Sequence, residues 1–267
     1  MNTESDERFA KKYGPWALVT GAAEGLGAAF ALLIAQRGVN VVLVDVQIDK
    51  AQSQAALVRE QTGVETLAIE ADLADESFLE KLLPELNGQQ IGMLVCCAGI
   101  GATGSFVETP LDVMQRAIKV NCMATLSLVY QFAPDMISRG RGGVIIVAST
   151  SAYTGAPYIA NYAATKAYDL SLAEALWYEF ADQGIDVLGF SPHGTNTPGF
   201  RRGMPSVKEG ETMDGVMLPE EAVEFALGAL GRLPSARPDL PEKFSEGRKT
   251  VIAAAGDFTK NLAAYRK

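Results

Sequence analysis

Tyr162 and Lys166 stand four residues apart at the start of a helical pattern, which puts both side chains on one helix face. A tyrosine of ordinary pKa, about 10, is a poor base at neutral pH. A neighbouring ammonium stabilises the phenolate, so such a pair can give a proton to a substrate oxygen or take one from it. The spacing alone is common and gains weight only from its surroundings. Upstream lies Thr20-Gly21-Ala22-Ala23-Glu24-Gly25-Leu26-Gly27. Gly21 permits a tight turn, Gly25 removes a Cβ that would block a pyrophosphate, and Gly27 lets a helix approach a sheet. The helix N-terminus then offers free N–H groups to phosphates. Glycines also simply end strands; the place of these between a strand and a helix favours a nucleotide. Asp45 closes the next strand, followed by Val46 and Gln47 with no Arg or Lys. A carboxylate there accepts hydrogen bonds from both hydroxyls of an adenosine ribose and repels a 2′-phosphate. Glu24 adds a second negative charge near the same ribose, so NAD is expected rather than NADP. The alternative is that Asp45 caps the following helix.

Other chemistries are excluded by what is scarce. The single histidine, His193, rules out a three-histidine zinc site and an HExxH protease, and a Ser-His-Asp triad could use only that residue. No metal is expected. Cys96, Cys97 and Cys122 form no CxxC and read as small buried hydrophobes in a reducing compartment. A net charge of −9 argues against a nucleic-acid or anionic-membrane partner. No apolar run reaches the roughly 18 residues of a membrane span. Met1 to Lys12 is polar, without the apolar core of a signal peptide, so a cytoplasmic location is expected.

The elements that must position these groups alternate. Apolar runs at Trp16–Val19, Val39–Val44, Glu65–Ile69, Met93–Cys96, Gly143–Val147, Val187–Phe190 and Val251–Ala254 read as seven strands. Between them lie helical patterns. Leu26, Phe30, Leu33 and Ile34 share one face, as do Leu170, Ala173, Trp177 and Phe180. A long stretch from Leu111 to Ser138 is expected to break near Pro134. Continuous apolar strands separated by helices argue for one α/β domain, a doubly wound Rossmann-type fold of about seven parallel strands with helices on both faces. Residues 1–12 are expected as a polar extension. Leu233 to Arg248, with three prolines, reads as surface loop. Residues 198–219 read as a loop or a substrate lid.

Taken in order, these motifs resemble the short-chain dehydrogenase/reductase family from about Pro15 to Pro198. The family's glycine motif matches Thr20, Gly21, Gly25 and Gly27, and its Asn-Ala-Gly appears as Cys97-Ala98-Gly99. Its acidic residue after the third strand matches Asp72. Its helix asparagine matches Asn121, its serine matches Ser149, and its tyrosine motif appears as Tyr162-Ala163-Ala164-Thr165-Lys166. Lys12-Tyr13-Gly14-Pro15-Trp16 is similar to the branch of long-chain 3-oxoacyl and 17β-hydroxysteroid reductases.

The resemblance implies hydride transfer between a secondary alcohol or ketone and a nicotinamide. Tyr162 is then the acid/base, Lys166 lowers its pKa and binds the nicotinamide ribose, Ser149 bonds the substrate oxygen, and Asn121 holds a water linking Lys166 to solvent. The cofactor set is Gly21, Glu24, Gly25, Leu26, Gly27, Asp45, Asp72, Leu73, Cys97, Ala98, Gly99, Tyr162, Lys166, Pro192 and Thr197. Phe, Ile, Tyr and Met in the pocket segments suggest an apolar steroid, terpenoid or fatty-acyl substrate. A homodimer or homotetramer is expected, with the helices at Leu111–Ser138 and Tyr162–Gln183 as the interface. The competing reading is a catalytically silent dinucleotide-binding regulatory or scaffold protein.

Two positions depart from the pattern. Cys97 stands for an asparagine, exchanging an amide for a weak thiol donor; a buried inert cysteine and a reactive one both fit. His193 stands where the family has glycine. It either contacts substrate or is a packing residue. Ser151 is a second candidate for contact with substrate.

Overall fold

The computed structural model describes residues 4–203, 206–210 and 215–264. In chain order the elements are α1 (Glu4–Tyr13), β1 (Trp16–Thr20), α2 (Gly25–Gln36), β2 (Asn40–Asp45), α3 (Ile48–Thr62), β3 (Thr66–Glu70), α4 (Phe78–Glu85) and β4 (Ile91–Cys96). Next come α5 (Leu111–Ile118), a π-turn (Lys119–Met123), α6 (Ala124–Arg139), β5 (Gly142–Val147), α7 (Ala160–Phe180) and β6 (Ile185–Phe190). The chain continues through β7 (Gly194–Thr195), α8 (Pro198–Gly203), β8 (Val216–Met217), α9 (Pro219–Ala229), β9 (Ser235–Ala236) and α10 (Glu242–Ala264).

Seven parallel strands form one sheet in the order β3-β2-β1-β4-β5-β6-β9. Winding runs outward from β1 in one direction, then reverses into β4. In such sheets the ligand crevice opens at that switch point, beyond the carboxyl ends of the strands. Alternate strand residues feed two cores. Val19, Val41, Leu43, Met93 and Phe190 pack with Phe30, Ile34 and Val223 of α2 and α9 on one face. Leu18, Val42, Leu94 and Ile146 pack with Leu82, Leu128, Phe132 and Ala173 of α4, α6 and α7 on the other. This two-sided burial explains the uninterrupted apolar strands.

At the amino ends of the strands, α1 closes the sheet. The Tyr13 hydroxyl donates to Asp186 Oδ2 at 2.6 Å, and Lys12 pairs with the same carboxylate. A Cβ at Gly143 would lie 2.8 Å from the Tyr13 ring, so glycine there makes room for it. Residues 4–12 of the polar N-terminal segment are thus helical, with Phe9 packed against the core.

Three other expectations are corrected. Val251–Ala254 lies inside α10, not in a strand. A short apolar run cannot by itself tell strand from helix, and its alanines favour helix. The seventh strand is instead Ser235–Ala236, two small residues after Pro234 that pair with Gly189 and Phe190. Leu233–Arg248 therefore holds β9 and the start of α10 rather than only loop. Finally, α6 runs through Pro134, and the interruption falls earlier, at the π-turn around Asn121. The carbonyl freed by Pro134 belongs to Tyr130, an exposed residue where water can replace the lost bond. No helix among the described residues is long and apolar enough to cross a membrane.

Candidate active site

At the switch point the glycine turn and the loop after β4, which pack against each other, both line a cleft of about 860 Å³. Gly21 and Gly25 take left-handed backbone at φ 67° and 62°, which glycine adopts without strain. A Cβ at Gly27 would run into the Gly21 carbonyl, so the helix could not approach. A Cβ at Gly25 would lie 3.1 Å from Thr197, so this turn also abuts the segment that opens α8. Bare backbone beside a helix N-terminus in a cleft of this size fits a dinucleotide pyrophosphate.

Asp45 is buried at the end of β2. Its Oδ2 accepts from Ala23 N at 3.0 Å and its Oδ1 from Gln47 N at 2.9 Å. It therefore braces the glycine turn as well as facing the cleft. Glu24 does not add a bare negative charge. Its carboxylate accepts from Lys50 at 3.0 Å and from Arg202 of α8 at 3.2 Å. Partial burial works against its charge, but these two cations hold it below the ordinary carboxylate range. Of these two carboxylates, Glu24 is thus the one paired with cations. Asp72 and Leu73 line the same end of the cleft. Asp72 accepts from Ala74 N and pairs with Arg116 of α5 at 2.9 Å. Arg116 was not legible in advance, because its partner lies 44 residues away in sequence.

The loop after β4 is fixed without the family's asparagine. The Thr20 hydroxyl accepts from Cys97 N at 3.1 Å and Ala98 N at 3.2 Å, so backbone amides supply the support. Burial pushes the Cys97 thiol up to about 12, which makes it an inert protonated group. Asn121 is fully buried on the π-turn. Its Oδ1 accepts from Ile100 N at 2.9 Å, and its Nδ2 donates to Ile100 O at 2.9 Å and to Thr165 Oγ1 at 2.8 Å. The amide is fully engaged in tying this loop to α7. Next in the loop, Gly101 lies against the Tyr162 ring. A Cβ there would come within 2.7 Å of Cδ2.

Tyr162 and Lys166 both line the cleft from α7. Lys166 is almost wholly buried and donates to Val147 O at 2.8 Å and to Asp169 Oδ2 at 3.0 Å. Burial works against its charge, yet Asp169 first, and Tyr162 after it, hold the ammonium above the ordinary lysine range. Ser149 and Thr150 form the facing wall. Ser149 Oγ accepts from Ser151 N at 3.2 Å and from Ser151 Oγ at 3.0 Å. Ser151 is thus placed behind Ser149 and does not line the cleft. Pro192, His193 and Thr197 complete the wall beyond β6. Thr197 Oγ1 accepts from Phe200 N at 3.1 Å, at the start of α8. His193 reaches toward Asp239, with Nδ1 3.8 Å from Oδ2, and a Cβ on Gly215 would lie 3.2 Å from its Nε2. Residues 204, 205 and 211–214 of the expected lid lie outside the described residues.

Set against known proteins, residues 15–205 match the family described as short chain dehydrogenase. A 7beta-hydroxysteroid dehydrogenase of Clostridium sardiniense is 30% identical over 261 residues, covering 96% of this chain and 99% of that one. A solved structure concerned with 7beta-hydroxysteroid dehydrogenase stereoselectivity superposes with a TM-score of 0.81 at 32% identity, over 89% of this chain and 92% of the other. A short-chain dehydrogenase from Sphingobium yanoikuyae in complex with NADPH superposes with a TM-score of 0.78 at 28% identity, over 90% and 96%.

Proposed function

The chain belongs to the short chain dehydrogenase family, and we propose that it interconverts a secondary alcohol and a ketone on an apolar substrate, with Tyr162 as acid/base and NAD(H) as preferred cofactor. The observation that carries this reading is the meeting of Tyr162, Lys166 and Ser149 on one cleft with the glycine turn. When bound, the nicotinamide supplies or accepts the hydride. Gly21, Gly25, Leu26 and Gly27 would hold the pyrophosphate, and Asp45 would accept hydrogen bonds from the adenosine ribose. Lys166 has two of its three N–H bonds committed to Val147 and Asp169, which leaves one for the nicotinamide ribose. Ser149 Oγ accepts from Ser151 twice, so its own proton is free to donate to the substrate oxygen. Tyr162 passes the proton to that oxygen in reduction and removes it in oxidation.

The substrate class rests on Ile100, Ile159 and Phe200 in the cleft, and on Phe106 and Tyr158, exposed beside it. The similarity to a hydroxysteroid dehydrogenase points the same way. NAD preference rests on Asp45, since one of the similar structures carries NADPH; a ratio of kcat/KM for NADP over NAD above one refutes it. A homo-oligomer in the cytoplasm belongs to this reading, through the apolar face left on α5, α6 and α7 by Ile118, Leu126, Tyr130 and Tyr168. A monomer by light scattering removes that part. His193 narrows the cleft, and His193→Gly is expected to widen the range of ketones accepted; an unchanged range assigns it to packing. The central test is Tyr162→Phe. Turnover should fall at least about a thousandfold while NAD(H) binding persists. Retained turnover refutes the mechanism, and a parent protein that turns over no alcohol or ketone favours a silent binding protein.

A further inference from the structure

We propose that Asp169 is a positioning residue of the catalytic pair, whose buried carboxylate keeps Lys166 charged and aimed at Tyr162 in the wall of the cleft. The inference rests on the catalytic reading of Tyr162 and Lys166 given above. Asp169 lies one turn beyond Lys166 on α7, on the side away from Tyr162, with its side chain 1% exposed. Oδ2 meets Nζ at 3.0 Å, and Oδ1 is buried with no hydrogen-bond partner among the described residues. A carboxylate placed only for fold stability would have both oxygens satisfied, because each buried unpaired acceptor is unfavourable. This one is held by the ammonium alone.

Lys166 needs such a partner. A buried ammonium loses its proton readily unless a counter-charge holds it. The other titratable groups packed around the pair do not supply one. Cys96 at the end of β4 and Cys97 beside it are pushed up by burial, Cys97 to about 12. Burial likewise pushes Cys122 on the π-turn to about 11, and Tyr168 on α7 up as well. All four stay neutral near pH 8. Asn121, a neutral amide beside this site, has its side chain committed to Ile100 and Thr165. Burial pushes the Asp169 carboxyl up and the Lys166 ammonium opposes that, so each ion depends on the other. Without Asp169, the buried Lys166 ammonium loses its counter-charge, and the positive charge that Tyr162 needs beside it is weakened.

The test is Asp169→Asn, nearly isosteric, read by the ultraviolet absorbance titration of Tyr162. Tyr162 is isolated by subtracting the same background carrying Tyr162→Phe. The Tyr162 midpoint is expected to rise by about one unit, a roughly tenfold loss of phenolate at any pH below it. Alcohol oxidation at pH 8 should fall by a similar factor, with its acid limb displaced upward. An unchanged or lowered midpoint in folded protein overturns the proposal, even if melting temperature drops. Should Asp169→Asn not fold, Asp169→Ser, with room for a water, carries the same expectation and the same refutation. A parent protein with no turnover sinks the proposed function, while the absorbance titration still decides the role of Asp169.

Discussion

Replacing Asn121 with alanine separates a structural tie from a water-holding role. The side chain is fully buried and makes three hydrogen bonds, two to the Ile100 backbone and one to Thr165 Oγ1. A net contribution of about 1 kcal/mol each gives about 3 kcal/mol. Ile100 is 39% exposed, so water can recover part of what its backbone groups lose. Thr165 keeps its donation to Tyr162 O at 2.8 Å. These two facts trim the loss to about 2–3 kcal/mol. For a chain of this size that corresponds to a melting temperature lower by roughly 4–12 °C. The released loop carries Gly101, which packs on Tyr162, so kcat should fall by at least about tenfold as the ring loses its place. Differential scanning calorimetry gives the first number and steady-state turnover the second. If Asn121 serves only to hold a water beside Lys166, turnover falls but the melting temperature stays within about 1 °C. That result would refute the reasoning from its hydrogen bonds.

Other outcomes follow from the same packing. Gly101→Ala should lower kcat at least about tenfold with little change in melting temperature, because its Cβ would sit 2.7 Å from the Tyr162 ring; unaltered kinetics would show that the loop simply moves aside. Stability should fall with alkaline pH. The folded Cys97 thiol, pushed up to about 12, lies above the roughly 8.5 of an unfolded cysteine, so its contribution is full below that lower value and is lost as pH rises toward 12. Cys97→Ala should flatten the decline of unfolding free energy between about pH 9 and 11, measured by urea titration, and an identical slope would contradict the assignment.

Much of the fold was legible because its signals are local. Strands buried on both faces are uninterrupted apolar runs, and the glycine turn sits where a strand gives way to a helix. What failed was non-local. Ser235–Ala236 becomes a strand only because the edge of β6 is there to pair with it. Val251–Ala254 is an apolar run too short to tell strand from helix, and it lies in a helix fastened to α7 by Arg248 on Glu174. The helix is interrupted at Asn121 rather than Pro134, and the amide there bonds Ile100 and Thr165, contacts distant in sequence that no spacing rule encodes. In the site, the glycines, Asp45, Ser149, Tyr162 and Lys166 were visible as residue types in order, and they do line one cleft. The pairing of Glu24 with Lys50 and Arg202 and the tie between Asp72 and Arg116 were not, because each joins residues from separate elements. Asp169 alone had a readable signal, three residues beyond Lys166 on the same helix.

The short helix α1 closes the sheet at the end opposite the cleft, with Glu4, Glu7, Arg8 and Lys11 turned to solvent. A bead, an electrode or a fused carrier attached through that face would stand behind the molecule. The mouth between the glycine turn and α8 would then point outward, so a tethered preparation should keep the access to cofactor and substrate that it has when free.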